Sequence, residues 1–369
     1  MKRFIRDLNG ACGDLGTFLP YAVGAIAVAG LNAVSVLFGF GVALIASALF
    51  YGFPIAVQPM KAVSAALLTS GLSPGEVAWA GLLIGATFIV LGVSGGIGWL
   101  ARRIPPSVTL GLVLGLGLAM MWLGGTLMWA TPLLGIGALV LFLVAARVTR
   151  LPLLLLGVIA VLIGQALAMS ASEPGWATLG WSWPQLIWPT WEELPRAFEY
   201  AVLPQVPLTV SNAIIVTAAM SAHLFPAHAA RASERNLALT TGVGNFVLAP
   251  LGAMPMCHGA GGVVAQHRFG ARSARAPLVL GCVLLAAALV VGESAAALLA
   301  EFPLSVAGAL LVIAGADLAF SRRLFEARAT CWPVIGVTAL VAAVWNPAWA
   351  LGVGLMMEYA RLGLARWRD

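Results

Sequence analysis

Charge is what this sequence has least of. Only 9% of its 369 residues are Asp, Glu, Lys or Arg, against about 25% in a soluble globular domain, so a chain mostly surrounded by water is excluded. Cysteine is scarce as well. Cys12, Cys257, Cys282 and Cys331 show no paired spacing, which argues against a disulfide framework and against a zinc site. A cleavable leader is not expected, because the apolar run after the basic segment Met1 to Arg6 carries Asp14 and lacks a small-residue cleavage site. No catalytic set is present either. Gly259 to Gly262 lacks the strand–turn–helix context of a nucleotide site, and His223 and His228 fall in a loop without a nucleophile. The sequence therefore reads as a non-enzyme that needs no cofactor and no metal.

What it has is apolar length. Hydrophobic residues make up 61% of the chain, and the runs between charges and Gly/Pro clusters are long enough for helices that cross a bilayer. The expectation is an all-α polytopic membrane protein with about 14 spans. They are placed near 14–31, 33–52, 54–72, 75–98, 106–124, 131–147, 151–170, 196–222, 233–250, 253–268, 275–293, 302–320, 328–345 and 347–364. The 42 glycines suit close helix packing in lipid.

The net charge of +6 does not point to nucleic acid, since the basic residues sit in short loops. With the N-terminus in the cytoplasm, fourteen spans place 18 of the 20 basic residues inside. Only Lys61 and Arg196 lie elsewhere, and Glu76, Glu173, Glu192, Glu193, Glu293 and Glu301 fall in outer loops. This pattern implies a multi-pass protein of the cytoplasmic (inner) membrane with both termini cytoplasmic. The outer segment 171–195, rich in Trp and Pro, reads as an interfacial belt, with a lid over a site as the alternative.

Two motifs recur. Pro59-Met60 and Pro255-Met256 lie 196 residues apart, and Pro105-Pro-Ser-Val108 and Pro303-Leu-Ser-Val306 lie 198 apart. Each of the latter is followed at the same offset by a glycine, Gly117 or Gly315. The agreement implies a duplication of seven spans. Seven is odd, so the second copy enters upside down: a 7+7 inverted repeat, which places substrate near the midplane between two broken helices. Those are spans 3 and 10, each expected to change from extended chain to helix at its proline, Pro59 or Pro255.

Helix N-termini at mid-membrane would offer free N–H groups and partial positive charge, which is the makings of an anion site. Gln58, Pro59, Met60, Lys61 and Ala62 would form one lip, and Met256, Cys257, His258, Gly259, Ala260, Gly261 and Gly262 the other. The glycines permit close approach. Lys61 supplies a full charge whose burial in lipid demands compensation, from Asp14 when the site is empty and from a dianion when it is full. Thr17, Gln205, Thr209, Ser211 and Asn212 are further candidate lining groups. Plainer readings stand beside these. Lys61 snorkels to a surface, Asp14 caps the first helix, Cys257 merely packs, His258 holds backbone rather than substrate or a coupling proton, and Asp317 pairs with Arg322 or Arg323.

At these residues the chain resembles a known group. Gly13-Asp-Leu-Gly-Thr-Phe-Leu-Pro20, Gln58-Pro-Met-Lys-Ala62, Pro204-Gln-Val-Pro-Leu-Thr209 with Asn212-Ala-Ile214, and Pro255-Met-Cys-His-Gly-Ala-Gly-Gly262 through Gln266-His-Arg-Phe-Gly-Ala-Arg272 are similar to the molybdate transporter family. That family is a branch of the sulfate permease superfamily. The resemblance implies core and gate domains. The core would comprise 1–98 and 196–293 (spans 1–4 and 8–11), and the gate 99–170 and 294–369 (spans 5–7 and 12–14), with 171–195 as the extracytoplasmic loop. The gate is often a homodimer contact. Sulfate permeases usually carry a cytoplasmic STAS domain after the last span; with the sequence ending at Asp369, the molybdate branch is expected to lack it. The expected function is secondary active transport of a tetrahedral oxyanion, molybdate first, by alternating access with a proton or sodium ion as coupling ion. Sulfate or another anion, or a nucleobase with a proton on the same fold, are the alternatives.

Overall fold

Helix ends in this protein follow local chemistry. The computed structural model describes residues 2–148, 180–300 and 303–366. The expected seventh span (151–170) and the start of the outer segment lie outside the described residues, as do the side chains of Asp14 and Thr17. α1 (Lys2–Val23) continues into a π turn at Gly24–Val28. α2 (Ala33–Tyr51) starts where the Asn32 side chain accepts the Ser35 N–H at 2.8 Å. The two-residue strand β1 (Gln58–Pro59) leads into α3 (Lys61–Ser70). That helix stops at Gly71, whose φ of 60° is left-handed and disfavours a side chain. α4 (Pro74–Ser94) opens on a reciprocal capping box between Ser73 and Glu76. α5 (Pro106–Trp129) and α6 (Pro132–Val148) both begin at a proline.

After the outer segment comes α7 (Trp191–Leu224), a long helix that widens into π turns at Phe198–Val202 and Thr209–Ile215. Pro195, Pro204 and Pro207 each remove a backbone donor along it, which a regular α-ladder does not tolerate. α8 (Glu234–Leu248), β2 (Met256–Cys257), α9 (Ala260–Arg268), α10 (Arg275–Ala300), α11 (Leu304–Ala319), α12 (Trp332–Val344) and α13 (Pro347–Arg366) complete the described chain. Among the described residues, five helices are long and apolar enough to cross a membrane on their own: α2, α4, α5, α7 and, over Arg275–Gly292, α10.

α1 starts at Lys2, about a dozen residues before the apolar run that marked it in the sequence. Its polar first half is held by tertiary contact. The buried Asp7 carboxylate accepts from the Arg272 N–H (2.8 Å) and from the Ser273 hydroxyl (2.7 Å). Gly10 lies so close that a Cβ there would stand 2.3 Å from that of Ala271. The last part of the Gln266 to Arg272 motif thus serves as a dock for α1.

β1 and β2 pair antiparallel, with Gln58 opposite Cys257 and Pro59 opposite Met256. Around them, α2 packs along α10, α4 along α8, and α5 along α11. Glycines let these backbones touch. A Cβ on Gly41 would meet the Gly281 carbonyl at 3.0 Å, one on Gly85 that of Gly242 at 2.9 Å, and one on Gly117 that of Gly315 at 2.5 Å. One large buried cluster joins residues of α1–α4 and α7–α10, while α5, α6 and α11–α13 supply most of three smaller ones.

The segment 180–190 lies as a strap over the first group. Ser182 N–H donates to Leu289 O (2.9 Å), Gln185 N–H to Ser35 Oγ (2.9 Å), and Ile187 N–H to Pro250 O (2.7 Å). The Trp79 indole donates to Thr190 O at 2.7 Å. Trp181, Trp183 and Trp188 stay exposed along it. Amphipathic rings on a tied strap fit an interfacial belt better than a lid free to open.

Candidate functional site

The strand pair puts two helix N-termini close together near the middle of the molecule. Both helices begin later than the prolines suggested. Extended chain persists through Pro59 to the N-cap Met60, and through Pro255 to the N-cap Gly259, so the first helical residues are Lys61 and Ala260. The prolines fit extended backbone here because the pairing asks them for carbonyls: the Met60 N–H donates to Pro255 O at 2.9 Å. On the far edge of β2, Asn245 of α8 substitutes for a third strand. Its Oδ1 accepts the Met256 N–H (2.8 Å) and its Nδ2 donates to Met256 O (2.6 Å). Sequence reading missed Asn245. Its signal was an amide inside an apolar span, which must find buried partners.

The two N-termini are not equivalent. At α3, Gln205 Oε1 accepts from the Ala62 N–H (2.8 Å) and the Val63 N–H (3.3 Å), and Gln205 Nε2 donates to Thr209 Oγ1 (2.8 Å). Both ends of the Gln205 amide are engaged, so Gln205 caps α3 instead of facing an open cavity, and Ala62 offers no free N–H. At α9 the N-cap Gly259 has no side chain to cap with, and among the described residues no side chain accepts from the N–H groups of Ala260, Gly261 or Gly262. Gly261 is exposed, and a Cβ on it would meet nothing within 4 Å. Gly262 is buried behind it. The open N-terminus is that of α9, formed by Ala260, Gly261 and Gly262. Just before it Gly259 is packed tight, where a Cβ would stand 2.0 Å from Gln58 Oε1; Gln58 is buried beneath it.

His258 is a structural residue in this arrangement. Its Nδ1 lies 3.1 Å from Ala56 O, which can only accept, so Nδ1 carries the hydrogen. Nε2 shares a hydrogen bond with Thr240 Oγ1 at 2.8 Å, and that hydroxyl shares another with Tyr51 Oη at 2.7 Å. With both ring nitrogens occupied and the ring buried, the substrate-contact reading of His258 gives way to one in which it ties the chain before β1 to α2 and α8. Asn212 also departs from expectation. It sits exposed in the second π stretch of α7 and accepts from Arg323 Nη1 at 2.7 Å. Met60 and Met256 are buried in the apolar cluster.

The two cations outside the basic loops now separate. Arg196 has a full set of partners: it pairs with Glu76 at 3.1 Å and donates to the carbonyls of Ser70 and Gly71. It therefore neutralises the C-terminal end of α3. Lys61, partly buried, has no hydrogen bond and no ion pair among the described residues. Its electrostatic neighbours are Asp317 of α11 and Cys257, two residues before the N-cap of α9. A lone ammonium and an uncapped helix N-terminus, joined by a strand pair, can bind an anion by charge and by backbone N–H donors.

The fold itself is a known one. It matches the transmembrane domain of a cyanobacterial bicarbonate transporter, BicA, with a TM-score of 0.72 and 17% identity over 96% of this chain and 98% of that one. It also matches SLC26A9 with a TM-score of 0.74 and 15% identity, over 98% of this chain and 65% of that one. This is the sulfate permease-type fold. The chain belongs to the molybdate transporter family: the sequence family described as "Molybdate transporter of MFS superfamily" matches residues 6–120 and 197–318. Molybdate transporter 2 of Arabidopsis thaliana is 29% identical over 95% of this chain and 86% of its own length. Molybdate transporter 1 of Chlamydomonas reinhardtii is 29% identical over 85% and 83%. The protein is a multi-pass membrane transporter and not an enzyme.

Gln205→Ala should destabilise the protein by about 2 kcal/mol or more, since it leaves two buried N–H groups without an acceptor. Gln205→Glu, which keeps the acceptor, should restore most of that loss. Thermal unfolding of the solubilised protein checks both; an alanine variant as stable as wild type would remove Gln205 from its capping role.

Proposed function

We propose that this protein is a secondary active transporter that carries molybdate across the cytoplasmic membrane by alternating access, with a co-transported proton or sodium ion. The observation that carries the reading is Lys61, which among the described residues has no hydrogen bond and no ion pair, near the open N-terminus of α9, in a chain whose relatives are named molybdate transporters. Lys61 and the N–H groups of Ala260 to Gly262 hold the oxyanion. Gly259 and Gln58 shape the floor and Cys257 borders it, with Asp14 and Thr17 of α1 as further candidate ligands.

Fourteen spans in a 7+7 inverted repeat support the motion. Exchange of the repeats converts α2 into α8 and α4 into α10, so the α2–α10 and α4–α8 contacts are one contact made twice. The glycine pairs Gly41 with Gly281 and Gly242 with Gly85 recur in the same way. The α5–α11 and β1–β2 contacts map onto themselves. The large buried cluster is then the core and the remaining helices the gate, whose exposed apolar face (Trp122, Trp129, Leu133) lies in lipid or against a second copy. Both termini lie in the cytoplasm, as the basic loops require.

Uptake of radiolabelled molybdate into proteoliposomes, with excess sulfate as competitor, tests this directly. Saturable molybdate accumulation that a tenfold excess of sulfate leaves largely intact is the expected outcome. Its absence under imposed proton and sodium gradients alike would reject the reading.

A further inference from the structure

Asp317 lies on α11, which belongs to the group of helices assigned to the gate, whereas Lys61 opens α3 in the core. Ala62, Ala65 and Leu68 of α3 pack in one buried cluster with Leu311, Ala314 and Leu318 of α11. Tyr21 Oη donates to Ala314 O at 3.5 Å, one turn before Asp317 on the same helix. That cluster, which α5 also joins, places Asp317 next to the turn of α11 that packs toward α1 and α3. Asp317 is exposed, so water or an ion reaches it. The arginines that follow it do not neutralise it: among the described residues neither Arg322 nor Arg323 forms an ion pair, and Arg323 turns to Asn212 at 2.7 Å.

We propose that Asp317 is the internal counter-anion of Lys61 in the empty site, so that an arriving oxyanion must displace it. This rests on the oxyanion reading above and adds a residue to it. Each of the two groups has the other as its opposite-charge neighbour, yet they form no contact ion pair among the described residues, which leaves room for exchange. A dianion and a carboxylate repel, so they cannot share one ammonium at close range. Binding therefore exchanges an electrostatic attraction between core and gate for a bond between core and substrate. The empty carrier keeps Lys61 compensated by Asp317 while it resets, and the loaded carrier frees α11 to slide past α3. Asp317 is thus a positioning residue that sets affinity and the return step.

Two measurements test it. The first uses thermal unfolding of solubilised wild type, Asp317→Asn, Lys61→Gln and the double variant, without molybdate. The two substitutions should be non-additive, with the double variant losing less than the two single losses combined. The second uses proteoliposomes. Asp317→Asn removes the competitor for Lys61, so the KM for molybdate should fall about fivefold or more. Net uptake should slow about tenfold, because the empty carrier now resets with an uncompensated lysine, while molybdate counterflow should fall much less. Asp317→Glu should behave as wild type in both. Additive melting shifts with an unchanged KM would overturn the proposal. Non-additive shifts in a wild type that moves no molybdate would keep the ion pair but reject the oxyanion reading, and with it the displacement step.

Discussion

Lys61→Ala is expected to lower molybdate kcat/KM in reconstituted vesicles by on the order of 100-fold, equivalent to about 3 kcal/mol of lost binding in the transported complex. The reasoning is one of charge balance. An ammonium that lacks a protein partner within bonding distance gains its compensation from the ligand, and truncation removes the only full positive charge the described site contains. The fold should survive, because among the described residues Lys61 makes no hydrogen bond whose loss would strand a buried group. Lys61→Arg should retain part of the activity, since its charge is kept while its shape and reach differ. Wild-type uptake by a well-folded Lys61→Ala variant would remove the basis for the anion site.

Gly261→Val should be nearly as damaging to transport and almost silent in stability. The space next to Gly261 is empty of protein within 4 Å, so a side chain there clashes with nothing and should change stability by no more than about 0.5 kcal/mol. If the oxyanion rests on the first turn of α9, the same side chain occupies its seat. Uptake should then fall by about tenfold to 100-fold, the range expected when one to two strong hydrogen bonds from backbone donors are lost. Gly259→Ala offers the contrast. Its methyl would stand 2.0 Å from Gln58 Oε1, so stability and uptake should decline together. Melting curves and uptake assays on the pair distinguish a blocked seat from a disturbed scaffold; equal behaviour of the two variants would place the substrate elsewhere.

The residues most visible in the sequence were those that break a local rule. Proline inside an apolar run, glycines in series and a lysine at membrane depth each conflict with a plain transmembrane helix, and they drew attention to residues 58–62 and 255–262. The helix starts were read two to five residues too early. Proline is favoured both in extended chain and in a first helical turn, and only the cross-pairing of Met60 with Pro255 decides between them. Gln205 and His258 were recognised as polar groups in spans, yet their partners are 143 and 202 residues away. Separation of that size is invisible to a local pattern. The docking of α1 through Asp7, whose partner is 265 residues away, was missed for the same reason; Asn245 bonds Met256 only 11 residues on, but across a chain reversal that no helical or strand period marks.

The sequence by itself determined that the chain is a multi-pass membrane protein and that residues 58–62 and 255–262 depart from plain helix, because hydrophobicity and missing backbone donors act on neighbours along the chain. Tertiary structure alone decided which helix end is capped and which is open. Gln205 reaches one N-terminus, no side chain among the described residues reaches the other, and that choice depends on how α7 lies across α3. The same holds for Lys61: its position is written in the sequence, but its lack of a bonded partner, and the nearness of Asp317, emerge only when distant helices are packed against one another.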